Sequence, residues 1–144
     1  MNRRHDGCWI SDSGAHFARL SEQTMSRDVT KLRVFKTADE LLIALYRVSA
    51  TLPAEERYGL QSQMRRAAVS VAVNIVEGSA RRTLREYVNF LNVATSSSAE
   101  VVYLISVARR LGYLEDATAM ELQRSYRELL KSLRAMLKSL EARD

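Results

Sequence analysis

Residues 61–82 read QSQMRRAAVSVAVNIVEGSARR, with ten uncharged residues, Ala67 to Val76, between the arginine pairs Arg65-Arg66 and Arg81-Arg82. An uncharged run of that length between cations reads as a helix buried through its middle, with cationic ends. Leu60, Met64, Ala67, Val71 and Ile75 recur at three and four and form one apolar stripe; Ala68, Ala72 and Val76 form a second beside it. Two apolar flanks predict contact on two sides, one within the chain and one with a further copy, so a homo-oligomer is expected. The segment is expected to run from Gly59 or Leu60 to Glu77 and to close at Gly78, since glycine adopts the left-handed conformation that ends helices. Ser70 and Asn74 lie four apart on one face, and a buried Asn without a partner costs about 1–3 kcal/mol. Asn74 therefore either tethers neighbouring backbone or contacts a ligand.

Outward from this helix, Ser/Thr-x-x-Glu spacing recurs at Thr37-Ala-Asp-Glu40, Thr83-Leu-Arg-Glu86 and Thr118-Ala-Met-Glu121, the pattern of a reciprocal helix N-cap. The first box predicts a helix over about 38–51, with Leu41, Leu42, Leu45, Tyr46 and Val48 on its apolar face and Leu52-Pro53 as its stop. Pro53-Ala-Glu-Glu56 reads as a short turn before the central helix. The second box predicts a helix from Leu84 to Leu111, ending before Gly112 and about 40 Å long. Its small-residue centre, Ala94-Thr-Ser-Ser-Ser-Ala99, is carried as helix because the apolar phase continues through Leu91, Ala94, Ser98 and Val101. The third box opens a helix over about 119–141, with Leu122, Tyr126, Leu129, Leu133, Met136, Leu137 and Leu140 near heptad spacing. Short connections between four such helices predict an all-α, antiparallel up-down-up-down four-helix bundle over residues 31–144, assembling as a ring-like homo-oligomer. Residues 1–30 lack a sustained period and read as a poorly ordered N-terminal tail, either an upstream extension or a remnant of cloning, with Met25 available as a start.

Composition narrows the function. The chain has 144 residues, suited to one domain, and 22 Lys and Arg against 17 Asp and Glu, a net charge of +5. Polyanions are plausible partners. One cysteine, Cys8, and two histidines, both in the first tract, form neither a disulfide nor a zinc cluster, so no metal and no cofactor are expected. Apolar runs fall short of the roughly 18 residues of a membrane span and no signal-peptide core follows MNRR. A cytoplasmic protein with no membrane partner is the expectation. Proton transfer or metal-assisted hydrolysis needs a base or clustered carboxylates; the helical region has no histidine and no Asp-rich constellation, which predicts a non-enzyme.

The segments Gly59-Leu-Gln-Ser-Gln-Met-Arg-Arg-Ala-Ala-Val-Ser-Val, Asn74-Ile-Val-Glu-Gly78 and Glu86-Tyr-Val-Asn-Phe-Leu91, with Ala94, Glu100 and Leu111-Gly-Tyr113, together resemble the four-helix-bundle family encoded in intervening sequences of bacterial 23S ribosomal RNA genes. The likeness spans about residues 32–140, and Gln63, Asn74, Glu77, Gly78 and Glu100 are the polar and glycine positions of its motif. Thr95 and Ser96 stand where the family often has arginine and glycine, and Ser98 where a larger apolar residue is usual. The resemblance implies a cytosolic bundle that assembles as a homopentamer, with a basic surface and a nucleic-acid-binding role. A related bundle is the accessory protein of reverse transcriptases in diversity-generating retroelements, which makes a reverse-transcriptase-like protein another implied partner.

Charge placement points the same way. Residues 57–85 hold six arginines (57, 65, 66, 81, 82 and 85) against one acid, Glu77. Arg81, Arg82 and Arg85 fall at the turn into the third helix, whose opening N–H groups favour an anion, and a guanidinium engages phosphate bidentately. These three, with Arg65 and Arg66, are the candidate contacts to an RNA or DNA backbone. No aromatic interleaving suggests a base-stacking platform. The alternative is an assembly or adaptor module in which the same arginines serve protein contacts or pair with Glu77, Glu100 or a neighbour's acid.

Overall fold

The computed structural model describes residues 28, 29 and 32–143, so the expected N-terminal tail lies almost wholly outside the described residues. Four α-helices account for nearly all of what is described: α1 (Arg33–Ser49), α2 (Leu60–Ser79), α3 (Leu84–Arg110) and α4 (Asp116–Glu141), with a 3-10 turn at Ala54–Glu56 after Pro53. No strand occurs among the described residues. α2 packs on α1 and α3, and α4 on α3 and α1, while the diagonal pairs do not meet. One core results, filled by Leu45 of α1, Met64, Val71 and Ile75 of α2, Tyr87, Leu91, Val101 and Ile105 of α3, and Tyr126, Leu129 and Leu133 of α4.

Of the three expected caps, one forms. The Thr83 hydroxyl accepts the Glu86 amide at 3.2 Å and donates to the Glu86 carboxylate at 2.8 Å, while the Thr83 amide reaches the same carboxylate at 3.4 Å. Thr37 and Thr118, by contrast, sit inside their helices. α1 begins at Arg33 because the apolar phase extends back through Val34 and Phe35, which pack on the core, to buried Ala38. α4 begins at Asp116, which lets Ala119 bury in the first turn. A hydroxyl three residues before a glutamate caps a helix only where the core has no use for the turn preceding it. α2 has a cap that spacing did not expose: the Glu56 carboxylate of the 3-10 turn accepts the Leu60 amide at 2.8 Å.

Gly78 also departs from expectation. It lies within α2, which continues to Ser79 and ends on a right-handed Ala80; the positive-φ glycine of the described chain is Gly112 after α3, at φ 76°. Gly78 is buried against α3, and a methyl group there would meet Tyr87 and Phe90. Further along the seam the Ser70 and Ser97 hydroxyls share a hydrogen bond of 2.8 Å. Ser98 is fully buried and donates back to the Ala94 carbonyl at 2.9 Å, as Thr95 does to Leu91 at 2.7 Å. Small side chains satisfied on their own helix let two backbones approach without orphaning a hydroxyl. The serine run is therefore helix, as the continuing apolar phase required.

Both stripes of α2 face the chain's own core for most of their length. Ala68 and Ala72 are buried in the chain's own core, as are Ala67, Val71 and Ile75; of the second stripe only Val76 is exposed, at 40%. Because α2 has a neighbour on each side, its wide apolar face is spent largely within one chain. α3 is by length and mean hydropathy the one helix among the described residues long and apolar enough to cross a membrane. Tyr87, Leu91, Val101, Ile105 and Ala108 line its buried face within the core.

Candidate nucleic-acid interface

The α2–α3 corner gathers three of the candidate arginines. Arg81 is partly engaged: its guanidinium lies 3.9 Å from the Glu77 carboxylate and stacks 4.6 Å from the centre of the Phe90 ring. Both members of that pair are exposed, so the attraction is screened and weak. Arg82 and Arg85 are exposed and have no described partner. The capping box takes the Glu86 amide, leaving the Leu84 and Arg85 amides at the mouth of α3 for an anion. Hydrogen bonds from the Thr83 side chain and backbone hold the Glu86 carboxyl below its ordinary range, assisted by the charges of Arg81 and Arg82. That carboxylate faces the same arginines as a phosphate would, and it is the negative counterweight of the corner.

Arg65 and Arg66 are not part of this cluster. They lie sixteen positions earlier, about 20 Å along the helix axis from Ser79, where α2 ends and the corner begins. Arg65 is a fastener between helices: Nε donates to the buried Ser49 hydroxyl at 2.9 Å, a terminal nitrogen donates to the Tyr46 carbonyl at 3.1 Å, and the guanidinium stacks 4.5 Å from the Tyr46 ring. Its partners are thus the last turn of α1 rather than an acid. Arg66 is exposed. Around it a shallow groove of about 670 Å³ runs along the outer side of α2, lined by Arg57, Arg65 and Arg66, the rings of Tyr46 and Tyr58, and no carboxylate. Tyr58 is 91% exposed. Aromatic rings are therefore interleaved with arginines at this end, which linear spacing did not suggest because Tyr46 arrives from another helix.

Asn74 is half-buried and donates to the Ser70 carbonyl at 2.7 Å and to its hydroxyl at 3.1 Å, so its amide tethers backbone one turn away. Gln63 and Glu100 are exposed on α2 and α3, Glu77 sits beside Arg81, and Gly78 packs closely against Tyr87 and Phe90 of α3. Among the described residues no three His, Cys, Asp or Glu side chains are grouped to hold a metal.

A four-helix, all-α protein with arginines concentrated at the two ends of its second helix is the class these features define. The chain belongs to the 23S rRNA-intervening sequence protein family, whose model matches residues 30–135. A solved structure of a protein of unknown function from the S23 ribosomal protein family of Bacteroides thetaiotaomicron has the same fold, at a TM-score of 0.68 and 21% identity, covering 73% of this chain and 95% of that one. No curated protein gives a significant match.

Proposed function

We propose that this chain is a non-catalytic, cytoplasmic nucleic-acid-binding protein that grips phosphate backbones through the α2–α3 corner. The observation that carries the reading is the pair Arg82 and Arg85, exposed and uncommitted beside the opening amides of α3. Guanidinium forks and helix-opening amides both recognise phosphate oxygens and neither reads a base, so binding is sequence-tolerant.

The helices are arranged up-down-up-down. In support, Gly78 near the end of α2 meets Tyr87 and Phe90 near the start of α3, while Ser70 meets Ser97 further in. Arg33 and Thr37 likewise adjoin Glu128 and Ser132, and Arg47 and Thr51 adjoin Glu115 and Thr118. These pairings converge as the sequence separations of an antiparallel arrangement do. That topology places the first turn of α1, with Arg33 and Lys36, and the last turns of α4, with Arg134 and Lys138, at the end that carries Arg82. The protein assembles as a ring, as its pentameric resemblance implies, through outward apolar residues of α2 and α3 such as Val76 and Val93, 40% and 47% exposed. A ring repeats the basic corner and adds avidity.

Titration of fluorescent RNA and DNA, single-stranded and duplex, at rising salt tests the reading. Affinity should fall with a log–log slope of about −0.7 to −0.9 per neutralised phosphate, and absence of binding at low salt would reject it. The exposed Val76 and Val93 also suit an adaptor for a reverse-transcriptase-like protein. In that case, reversing Arg81 and Arg82 would break a protein complex and leave polyanion affinity unchanged.

A further inference from the structure

We propose that the groove along the outer side of α2 is a second nucleic-acid site, one that accepts an unpaired nucleotide by stacking its base on Tyr58 and holding its phosphates with Arg57 and Arg66. The proposal rests on the polyanion reading above and adds to it the strand state that the protein prefers.

Charge is the first argument. The groove is lined by three guanidiniums and no carboxylate, so an occupant that leaves it electrically balanced is an anion. Shape is the second. Tyr58 presents its ring to solvent almost completely at the α1–α2 turn, and Tyr46 forms a second aromatic wall, one face of which is covered by the Arg65 guanidinium that two hydrogen bonds anchor to the end of α1. A ring held in that way keeps its orientation before any ligand arrives. Chemistry is the third. An apolar strip on α2, Val69 and Val73, lies along the groove next to the Asn74 amide, whose carbonyl end faces no described donor. A flat heterocycle with donors on its edge and an attached phosphate matches rings, apolar strip, acceptor and arginines together. A paired base presents neither of its π faces, so a duplex can use only the arginines. Base–aromatic stacking is sequence-tolerant and strong enough to set a preference between strand states.

The test uses the full chain with one oligonucleotide that carries a central 2-aminopurine, as a single strand and as a duplex. Tyr58 is on the surface, so Tyr58→Ala leaves the fold intact. The expected result is at least a tenfold loss of single-strand affinity and loss of the 2-aminopurine quenching, with duplex affinity unchanged; Tyr58→Phe, which keeps the ring, restores both. Arg66→Ala should weaken the single strand more than the duplex. Equal single-strand binding and quenching by wild type and Tyr58→Ala overturns the groove site while the α2–α3 corner stands. A change in sedimentation of Tyr58→Ala without a change in quenching assigns the groove to a second copy and also overturns it. Loss of duplex binding is read separately with Arg82→Glu: if that variant binds duplex normally while Tyr58→Ala fails on single strands, the corner is rejected and the groove retained.

Discussion

A methyl group on Gly78 would lie 2.9 Å from the Phe90 Cβ and 3.2 Å from the Tyr87 ring. The first of these neighbours is fixed to the α3 backbone and cannot swing aside. Gly78→Ala therefore gains helix propensity of about 1 kcal/mol and loses more to overpacking, which costs about 1–3 kcal/mol. Thermal melts should show a net loss of several degrees. Gly112 has nothing within 4 Å and a φ of 76°, so Gly112→Ala should be destabilising through backbone strain alone, by about 1–2 kcal/mol. A stabilised Gly78→Ala would show that the two helices are not in the close contact described.

Arg65 and Arg66 are adjacent and should behave differently. Arg65→Ala removes two hydrogen bonds and a ring stack between α1 and α2, and leaves the fully buried Ser49 hydroxyl with its weaker local bond to the Tyr46 carbonyl at 3.2 Å. A loss of about 1–3 kcal/mol is expected in urea denaturation. Arg65→Lys should recover little of it, because an ammonium cannot reproduce the planar fork and stack. Arg66→Ala should be within about 0.5 kcal/mol of wild type, as for other exposed positions.

Alkaline pH should destabilise the fold through Tyr126. Burial pushes its phenol above the ordinary value of 10, and its hydroxyl has no hydrogen-bond partner among the described residues. A raised folded value means that the neutral ring contributes its full stability below pH 10 and that this is lost as pH rises past it. Tyr113, raised by desolvation and by the Glu56 carboxylate, adds to the same limb. Tyr126→Phe should flatten the fall in melting temperature between about pH 10 and 12 and should be as stable as wild type, or about 1 kcal/mol more stable, at pH 7. A steeper alkaline limb in that variant would contradict the buried, unpartnered hydroxyl.

At the acid end the dependence has the opposite sign. The Glu86 carboxyl titrates below its ordinary 4.5 because Thr83 bonds its charged form, so the cap is whole above pH 4.5 and is lost as pH falls through the lower folded value. Glu86→Gln should remove that part of the acid limb. It should also strengthen duplex binding, since it deletes the negative charge next to Arg81 and Arg82, whereas Glu86→Lys should strengthen it further at the expense of helix capping.

Within the α2–α3 corner, Arg82→Ala and Arg85→Ala should each weaken duplex DNA binding and lower the salt slope by about 0.9. Arg81→Ala should have a smaller effect, because that guanidinium is already shared with Glu77 and Phe90. Glu77→Gln should raise affinity by freeing it. Unchanged affinity and salt slope in the Arg82 and Arg85 variants would place the phosphate path elsewhere.

Periodicity carried most of the fold, and the places where it failed share a cause. Apolar phase located all four helices and correctly ran α3 through Ala94–Ala99, since burial repeats over many residues and survives a local run of serines. Boundaries rest on single side chains. Thr83, Thr37 and Thr118 have the same spacing to a glutamate, and only the position of Val34, Phe35 and Ala119 relative to the core distinguishes the cap from its imitations. Gly78 and Gly112 are likewise indistinguishable in composition, and what separates them is whether another helix lies over the backbone. The arginines of the corner were legible because they are neighbours in the chain. Arg65 was not, for its partners are 16 and 19 residues away, and neither was the ring of Tyr46 beside it.

The length of α2 sets a measuring distance. Arg66 lies about 20 Å along the axis from Ser79, the last residue of α2, and each strand of a stacked duplex advances about 3.4 Å per phosphate. A tri- or tetranucleotide can touch one end at a time, while an oligomer of about seven or more can bridge both. The helix would then act as a caliper, and affinity should climb abruptly at that chain length instead of rising by equal steps with each added nucleotide.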